Sequence, residues 1–126
     1  MTVADGDSDK AVINLATGLE DPERVTVAFL VGGAALKQGK QVQMFLSKEA
    51  VRLAVPGVAE GIACESCPTL GELFGQYAEG GGELLACPYC VDARKLDGDA
   101  LVANARVAGA TPLWEWIGEG ATVFSY

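Results

Sequence analysis

Short and longer runs of apolar residues alternate along this chain. Short apolar runs that end at glycine or polar residues are typical of buried strands, and longer runs with capping residues are typical of helices. The short runs predict strands at residues 10–16, 41–46, 83–86, 104–107 and 121–124. The longer runs predict helices at residues 22–37, 48–53, 69–78, 89–96 and 112–117. Strands that alternate with helices predict a parallel sheet with helices on both faces.

The first helix has the clearest boundaries. Asp21 supplies an N-cap oxygen, Pro22 suits the first turn, and Gly39 follows the last turn. Apolar side chains lie almost all round this helix, which predicts that it is buried on more than one side. Gly32 and Gly33 interrupt it at a cost of about 1 kcal/mol each relative to alanine, so we expect close backbone packing there.

Several polar or reactive residues follow the predicted strands. Open parallel sheets bind ligands beyond the carboxyl ends of their strands. Thr17 and Gly18 follow the first strand, Ser47 follows the second, and Cys87 follows the third. We therefore expect these four residues to line one site.

The tetrapeptide Cys87-Pro88-Tyr89-Cys90 carries the strongest chemical signal. It lies where a strand gives way to a helix, and unpaired N–H groups in the first helical turn favour the reactive thiolate of Cys87. Residues three apart on a helix are about 5–6 Å apart at Cβ, so Cys90 is placed as a resolving thiol. Tyr89 lies between the two and is a candidate to shield the sulfurs. The same tetrapeptide is the redox motif of glutaredoxins, where it follows the first strand rather than the third.

A second pair, Cys64 and Cys67, lies in a predicted loop. Three roles stay open for this pair. The two residues are auxiliary thiols, or they form a spare disulfide with each other, or the loop folds over the strand ends and brings Cys67 to Cys87. All four cysteines together have the spacing of a zinc site, and an iron–sulfur cluster needs the same number of ligands. A helix and a strand separate the two pairs, unlike in a zinc ribbon, so we expect no cofactor and keep the four-cysteine metal site as an alternative.

Composition limits the classes of function. The chain has 126 residues, 50% of them hydrophobic, which predicts one domain at residues 10–126 after a flexible tail at residues 1–9. The net charge of −8 argues against binding to nucleic acid or to an anionic membrane surface. The absence of histidine excludes Cys-His and Ser-His-Asp catalysis.

The sequence favours a cytoplasmic protein. No apolar stretch approaches the roughly 20 residues that span a bilayer, and the first ten residues are too acidic and polar for a signal peptide. Cysteines in a cytoplasmic chain are more often catalytic or metal-binding than structural. Trp114 and Trp116 alternate on a short helix, so one of them is expected to be exposed at a subunit contact. Together with the apolar first helix, this predicts a homo-oligomer, most simply a trimer.

The order and spacing of several segments resemble the DsrE/DsrF-like family, which includes sulfur-relay proteins of the TusD type. The resemblance covers about residues 10–126. The matching segments are residues 17–24, 39–46, 82–94, 107–113 and 120–125. The resemblance implies a three-layer α/β/α fold with a five-stranded, mainly parallel sheet, and it implies trimers or hexamers.

The resemblance also implies a role for Cys87. In sulfur-relay members, one cysteine after the third strand carries a persulfide, and Cys87 matches it because Arg94 follows at the family's spacing. Arg94 is also expected to line the site, where its charge would favour the thiolate. Cys90 resembles a second cysteine that many members carry. The chain departs from the family at Lys95, where glycine is common, and in its extra Cys64/Cys67 pair.

Three functions follow from these observations. The first is a persulfide carrier or sulfurtransferase that uses Cys87 and Cys90 and exchanges sulfur with a donor or acceptor protein. The second is a dithiol–disulfide redox protein that uses the same two residues. The third is a metal-binding interaction module built on the four cysteines.

Overall fold

A computed structural model describes residues 9–126, so the predicted tail at residues 1–9 lies outside the described residues except for Asp9. The strands are β1 Lys10–Leu15, β2 Gln41–Leu46, β3 Glu83–Ala86, β4 Ala105–Val107 and β5 Thr122–Ser125. The α-helices are α1 Pro22–Lys37, α2 Leu70–Glu79, α3 Pro88–Ala93 and α4 Ala110–Ile117. Two 3-10 helices, Lys48–Ala54 and Ala59–Gly61, lie between β2 and α2.

The five strands form one sheet in the order β4-β3-β2-β1-β5, and each adjacent pair is parallel. This confirms the expected five-stranded parallel sheet. The chain moves in one direction from β1 to β4 and then reverses to reach β5. Right-handed crossovers therefore place α1, α2 and α3 on one face of the sheet and α4 on the other.

Side chains along β1 show the two faces. Ile13 belongs to the large buried core, whereas Lys10 points to the opposite face and its Nζ donates to the Trp116 carbonyl of α4 at 2.7 Å. The sheet is thus a middle layer between helices, as expected for an α/β/α fold. The two outer layers are unequal, because α4 buries none of its residues fully.

Aromatic rings fill the core beneath α1 and α2. Phe29 lies 5.4 Å from both the Phe74 and Tyr77 rings, measured between centroids. A Cβ at Gly32 would lie 3.2 Å from the Tyr77 ring, so the close packing expected there is confirmed. At Gly33 a Cβ would meet nothing within 4 Å, so the same expectation is wrong at that position.

The first helix is less buried than its sequence indicates. Val27 and Leu30 are exposed on α1, and Phe124 is exposed on β5. The expectation that α1 is buried on more than one side is therefore wrong for the single chain. Trp114 is 70% exposed while Trp116 is partly covered, in agreement with the expectation of one exposed tryptophan.

Among residues 9–126, no helix combines the length and apolar character needed to cross a membrane.

We expect Tyr77→Phe to weaken the fold and to change its response to alkali. The Tyr77 hydroxyl donates to the Glu83 carbonyl at 2.7 Å, and burial, followed by the Glu83 charge, raises the pKa of Tyr77. In the unfolded chain this hydroxyl ionises near pH 10, so its contribution is present below about pH 10 and is lost above it. The variant should lose about 1 kcal/mol at neutral pH.

Urea unfolding between pH 8 and pH 11 measures both effects. The decline in stability above pH 10 should be shallower for Tyr77→Phe than for the native chain. Tyr89→Phe is the matched control, because that ring is 83% exposed and should contribute neither effect. Equal slopes for the native chain and Tyr77→Phe would contradict the assignment.

Candidate functional site

The ends of three strands are aligned by hydrogen bonds that extend one residue beyond each strand pair. The Ser47 N–H donates to the Leu15 carbonyl at 3.0 Å, and the Cys87 N–H donates to the Leu46 carbonyl at 2.9 Å. The loops after β1, β2 and β3 therefore all leave the sheet at the carboxyl ends of the strands, as expected for a parallel sheet.

The loop after β1 rests directly on the 3-10 helix that follows β2. A Cβ at Gly18 would lie 2.5 Å from the Glu49 carbonyl oxygen, so a side chain does not fit there. Thr17 is buried beside it, and the Gly18 N–H donates to the Glu20 carboxylate at 2.9 Å. The predicted lining residues Thr17 and Gly18 thus lie in the loop that packs against Glu49.

Helix α3 is shorter than the predicted helix at residues 89–96. Cys87 is its N-cap and Pro88 its first residue, while Lys95 takes a left-handed conformation with φ 55°. The Lys95 N–H donates to the Asp92 carbonyl and the Leu96 N–H to the Val91 carbonyl. This is a Schellman motif, in which a left-handed residue ends the helix. Glycine favours that conformation, which gives a physical reason for the glycine common at this position in the family.

The two thiols of α3 have different surroundings. Both are free and partly buried, but the Cys87 side chain makes no capping hydrogen bond to the first turn. The Cys90 Sγ instead accepts the Lys48 backbone N–H at 3.1 Å. The sequence placed the amide contact at Cys87, and the structure corrects this, because the donor comes from the neighbouring loop and reaches Cys90.

Lys48 begins the 3-10 helix with a left-handed backbone, φ 52°. The predicted lining residue Ser47 precedes it, and its carbonyl accepts the Ala50 N–H at 3.0 Å, which fixes the turn. The Ser47 side chain makes no capping bond. Ser47 therefore acts through its backbone, which directs the next N–H towards Cys90.

Two arginines converge on Glu49. Arg94 Nε lies 2.7 Å from one carboxylate oxygen, and Arg52 Nε lies 2.8 Å from the other. Their hydrogen bonds, that of Arg94 first, hold the pKa of the Glu49 carboxyl below its usual value. Arg94 Nη1 also donates to the Cys90 carbonyl at 3.4 Å. The Arg94 side chain thus ties α3 to the 3-10 helix, a role that the sequence did not indicate.

Tyr89 projects away from the site. Its side chain is 83% exposed, which leaves most of the ring in solvent. The expectation that it shields the two sulfurs therefore finds no support in the position of the ring.

The second cysteine pair forms a disulfide. Cys64 and Cys67 are bonded with their Cα atoms 5.4 Å apart, and the Cys64 Sγ lies 3.8 Å from the Thr26 hydroxyl oxygen of α1. Cys67 is therefore joined to Cys64 and not to Cys87. Within residues 9–126, no group of three or more cysteine, aspartate or glutamate side chains is placed to hold a metal ion. The four cysteines are divided into two pairs, and the four-cysteine metal site is not assembled in that part of the chain.

Sequence similarity identifies the family of this chain. The model of the DsrE/DsrF-like family matches residues 9–126. The chain belongs to this family. An uncharacterized protein of Methanopyrus kandleri is 29% identical over 104 residues, which cover 82% of this chain and 83% of that protein. The resemblance expected from the spacing of the motifs is thereby confirmed.

Solved structures confirm the DsrE-like fold. The YchN protein of E. coli superimposes with a TM-score of 0.74 at 16% identity, covering 93% of this chain and 98% of that one. A protein of unknown function from Bacteroides thetaiotaomicron gives a TM-score of 0.64 at 17% identity, covering 99% and 100% of the two chains. One from Methanobacterium thermoautotrophicum gives 0.64 at 19% identity, covering 93% and 98%.

Sequence reasoning missed Lys48 and Glu49 as members of the site, and it missed Arg52 as a second partner of Glu49. A signal was present, because Lys48 and Glu49 directly follow the strand end at Ser47. Glu49 and Arg52 also have the i, i+3 spacing of a helical ion pair. Neither feature indicates the partner on α3, which lies 45 residues away.

We expect Lys95→Gly to stabilise the protein. Lys95 has φ 55°, and a left-handed residue with a Cβ costs about 1–2 kcal/mol. Glycine removes that cost but gains entropy in the unfolded chain, so the net increase in unfolding free energy should be about 0.5–1 kcal/mol. Lys95→Ala is the matched control, because alanine keeps the Cβ. Chemical denaturation measures both variants, and equal stability of the two would contradict the explanation.

Proposed function

We propose that this DsrE/DsrF-like protein is a sulfur-relay carrier that holds sulfane sulfur on Cys87, with Cys90 as the resolving thiol. The supporting observation is that Cys87 is a free thiol at the carboxyl end of β3, where the loops after β1 and β2 meet. Cys90, the other free thiol of α3, provides a second sulfur close in sequence.

The proposed reaction moves one sulfur atom without a net change in oxidation state. The Cys87 thiolate attacks the outer sulfur of a donor persulfide, the donor S–S bond breaks, and the donor thiolate leaves with the electron pair. Cys87 then carries the persulfide. A thiolate on an acceptor protein attacks the outer sulfur in the same way and restores Cys87.

A dithiol–disulfide redox protein is the second candidate. Cys87 and Cys90 have the same spacing as Cys64 and Cys67, and the latter pair closes as a disulfide with Cα atoms 5.4 Å apart. This shows that two intervening residues suffice for a disulfide in this chain. Exchange at Cys87 and Cys90 would convert the dithiol to a disulfide with loss of two electrons to a partner disulfide.

Incubation with a low-molecular-weight persulfide donor should add one sulfur atom to Cys87. Peptide mass spectrometry locates the adduct after blocking with an alkylating reagent. Cys87→Ser should abolish the adduct, whereas Cys64→Ser/Cys67→Ser should keep it. Cys90→Ser should lengthen the lifetime of the adduct, because the resolving thiol is absent.

Three results would contradict the carrier function. An adduct confined to Cys64, or no adduct on Cys87, would remove its chemical basis. Oxidation of Cys87 and Cys90 to a disulfide, without any Cys87 adduct and without release of hydrosulfide, would favour the redox candidate. Stoichiometric zinc or iron in protein purified without chelator would favour the metal-binding module, because metal-bound thiolates do not exchange sulfur freely.

We propose further that the protein is a cytoplasmic homo-oligomer, with the edge strand β5 and helix α4 at its interface. Val123 is 56% exposed on β5, and Phe124 and Trp114 are also exposed. Exposed aromatic and aliphatic side chains on neighbouring elements are typical of subunit contacts.

We expect sedimentation at micromolar concentration to give a trimer. Val123→Arg places a charge at the exposed apolar edge strand, and it should shift the protein towards a smaller species. Ala100→Arg is the matched control, since Ala100 is exposed in the segment before β4, at the opposite edge of the sheet. A native chain that sediments as a monomer would contradict the proposal.

A further inference from the structure

The hydrogen bond to Cys90 depends on two elements that are far apart in sequence. Its donor, the Lys48 N–H, begins the 3-10 helix after β2, and its acceptor lies on α3 after β3. The contact persists only while these two elements stay in place. Beside it, the carboxylate of Glu49 binds Arg94, the C-cap residue of α3, at 2.7 Å.

We propose that the Glu49–Arg94 ion pair is a positioning clamp that keeps the Lys48 N–H on the Cys90 sulfur and so prepares Cys90 for the resolving attack on the Cys87 persulfide. The resolving step assigned here to Cys90 rests on the sulfur-carrier function, but the clamp itself does not. Glu49 and Arg94 are positioning residues, because they act through Lys48 and α3 and touch no reacting sulfur.

Both ends of the clamp lie next to the groups they position. Glu49 directly follows Lys48 in the chain, so its carboxylate fixes the residue that carries the N–H. At the other end, Arg94 Nη1 donates to the Cys90 carbonyl at 3.4 Å. The ion pair and the N–H···S contact therefore connect the same two elements side by side.

The surroundings of Glu49 restrict its movement. Its carbonyl oxygen lies against Gly18, where even a Cβ would approach to 2.5 Å. The Arg94 side chain is 20% exposed, compared with 36% for that of Arg52. Water screens the Arg94 pair less than the Arg52 pair, so the link to α3 is the stronger of the two.

The N–H contact distinguishes the two thiols chemically. A hydrogen bond to sulfur from a backbone N–H stabilises the thiolate more than the thiol, because the charged form is the better acceptor. Cys90 receives such a bond, whereas the Cys87 side chain has no capping bond from α3. Cys90 is thus the thiol that a backbone donor holds in place, and Cys87 is the one left open to an external donor.

In the carrier cycle, the proposal gives Cys90 the resolving step. Its thiolate attacks the inner sulfur of the Cys87 persulfide, a Cys87–Cys90 disulfide forms, and the bond to the outer sulfur breaks. The outer sulfur leaves as hydrosulfide with the electron pair, so it is reduced while the two cysteines are oxidised. An external dithiol then reduces the disulfide and restores both thiols.

Residue-resolved alkylation of the native chain and its variants tests the clamp directly. Iodoacetamide is the probe, and peptide mass spectrometry gives separate initial rates at neutral pH for Cys87 and Cys90. In Glu49→Gln the Cys90 rate should fall about fivefold, the equivalent of one hydrogen bond of ordinary net strength. The Cys87 rate should change less than twofold, so the ratio of the two rates is the readout.

Two further variants separate the clamp from general effects of charge. Arg52→Gln removes the other ion pair of Glu49 but no link to α3, so the Cys90 rate should stay within twofold of the native rate. The reversed pair Glu49→Arg/Arg94→Glu should restore most of the rate that Glu49→Gln loses. Equal losses in Arg52→Gln and Glu49→Gln, or an unchanged rate ratio in Glu49→Gln, would overturn the proposal.

A second measurement connects the clamp to sulfur release. Protein loaded with a persulfide donor is freed of excess reagent, and the hydrosulfide it releases is measured over time. In Glu49→Gln, loading of Cys87 should match the native chain while release slows about fivefold, for the same reason as in alkylation. Cys90→Ser should abolish the release.

The outcomes separate the two proposals. Failure of Cys87 to load would contradict the carrier function, while the alkylation ratio would still decide whether the clamp acts on Cys90. Normal loading with unchanged release in Glu49→Gln would leave the carrier function standing and overturn the clamp.

Discussion

The parallel register of β1, β2 and β3 is the constraint on which the site depends. Leu15 pairs with Leu46, and Leu46 pairs with Ala86, so the three strands end at the same level. The hydrogen bonds from Ser47 and Cys87 extend this alignment by one residue. A slip of one residue in either pair would turn every side chain of the shifted strand to the other face of the sheet and would move Cys87 away from the loop after β2.

Once the strand ends are level, short-range packing determines the details of the site. Two lysines with left-handed backbones, Lys48 and Lys95, flank α3, and each costs about 1–2 kcal/mol relative to a relaxed conformation. Surrounding contacts compensate for that cost. Lys48 directs its N–H to Cys90, and Lys95 ends the helix so that Arg94 reaches Glu49. Strained backbone beside two free thiols is typical of functional sites.

Local signals in the sequence predicted most of the fold. The alternation of apolar runs, the Asp21 N-cap and Pro22 identified strands and helices to within a few residues, because burial and capping act over short stretches of chain. The parallel topology then placed Gly18, Ser47 and Cys87 together beyond the carboxyl ends of the strands. The contact between Lys48 and Cys90 was not predictable in this way, because it depends on a single backbone angle and on packing between elements 42 residues apart.

The exposed surface of α1 was missed for a related reason. Apolar side chains lie nearly all round that helix, so its periodicity does not say which face meets the sheet. The structure buries Val25 and Phe29 but leaves Val27 and Leu30 in solvent. A pattern read from one chain cannot separate burial within the fold from burial between subunits, because both select the same side chains.

The two cysteine pairs have the same spacing but different chemistry, and the difference lies in the backbone. Cys64 and Cys67 lie in a loop where their sulfurs meet, whereas α3 begins between Cys87 and Cys90 and the Cys90 sulfur is occupied by the Lys48 N–H. Closing the second pair would give up that hydrogen bond, at a cost of about 1 kcal/mol. This hydrogen bond therefore shifts the preference of the pair towards the open dithiol. A carrier needs this preference, because its thiols must return to the reduced state before they accept sulfur again.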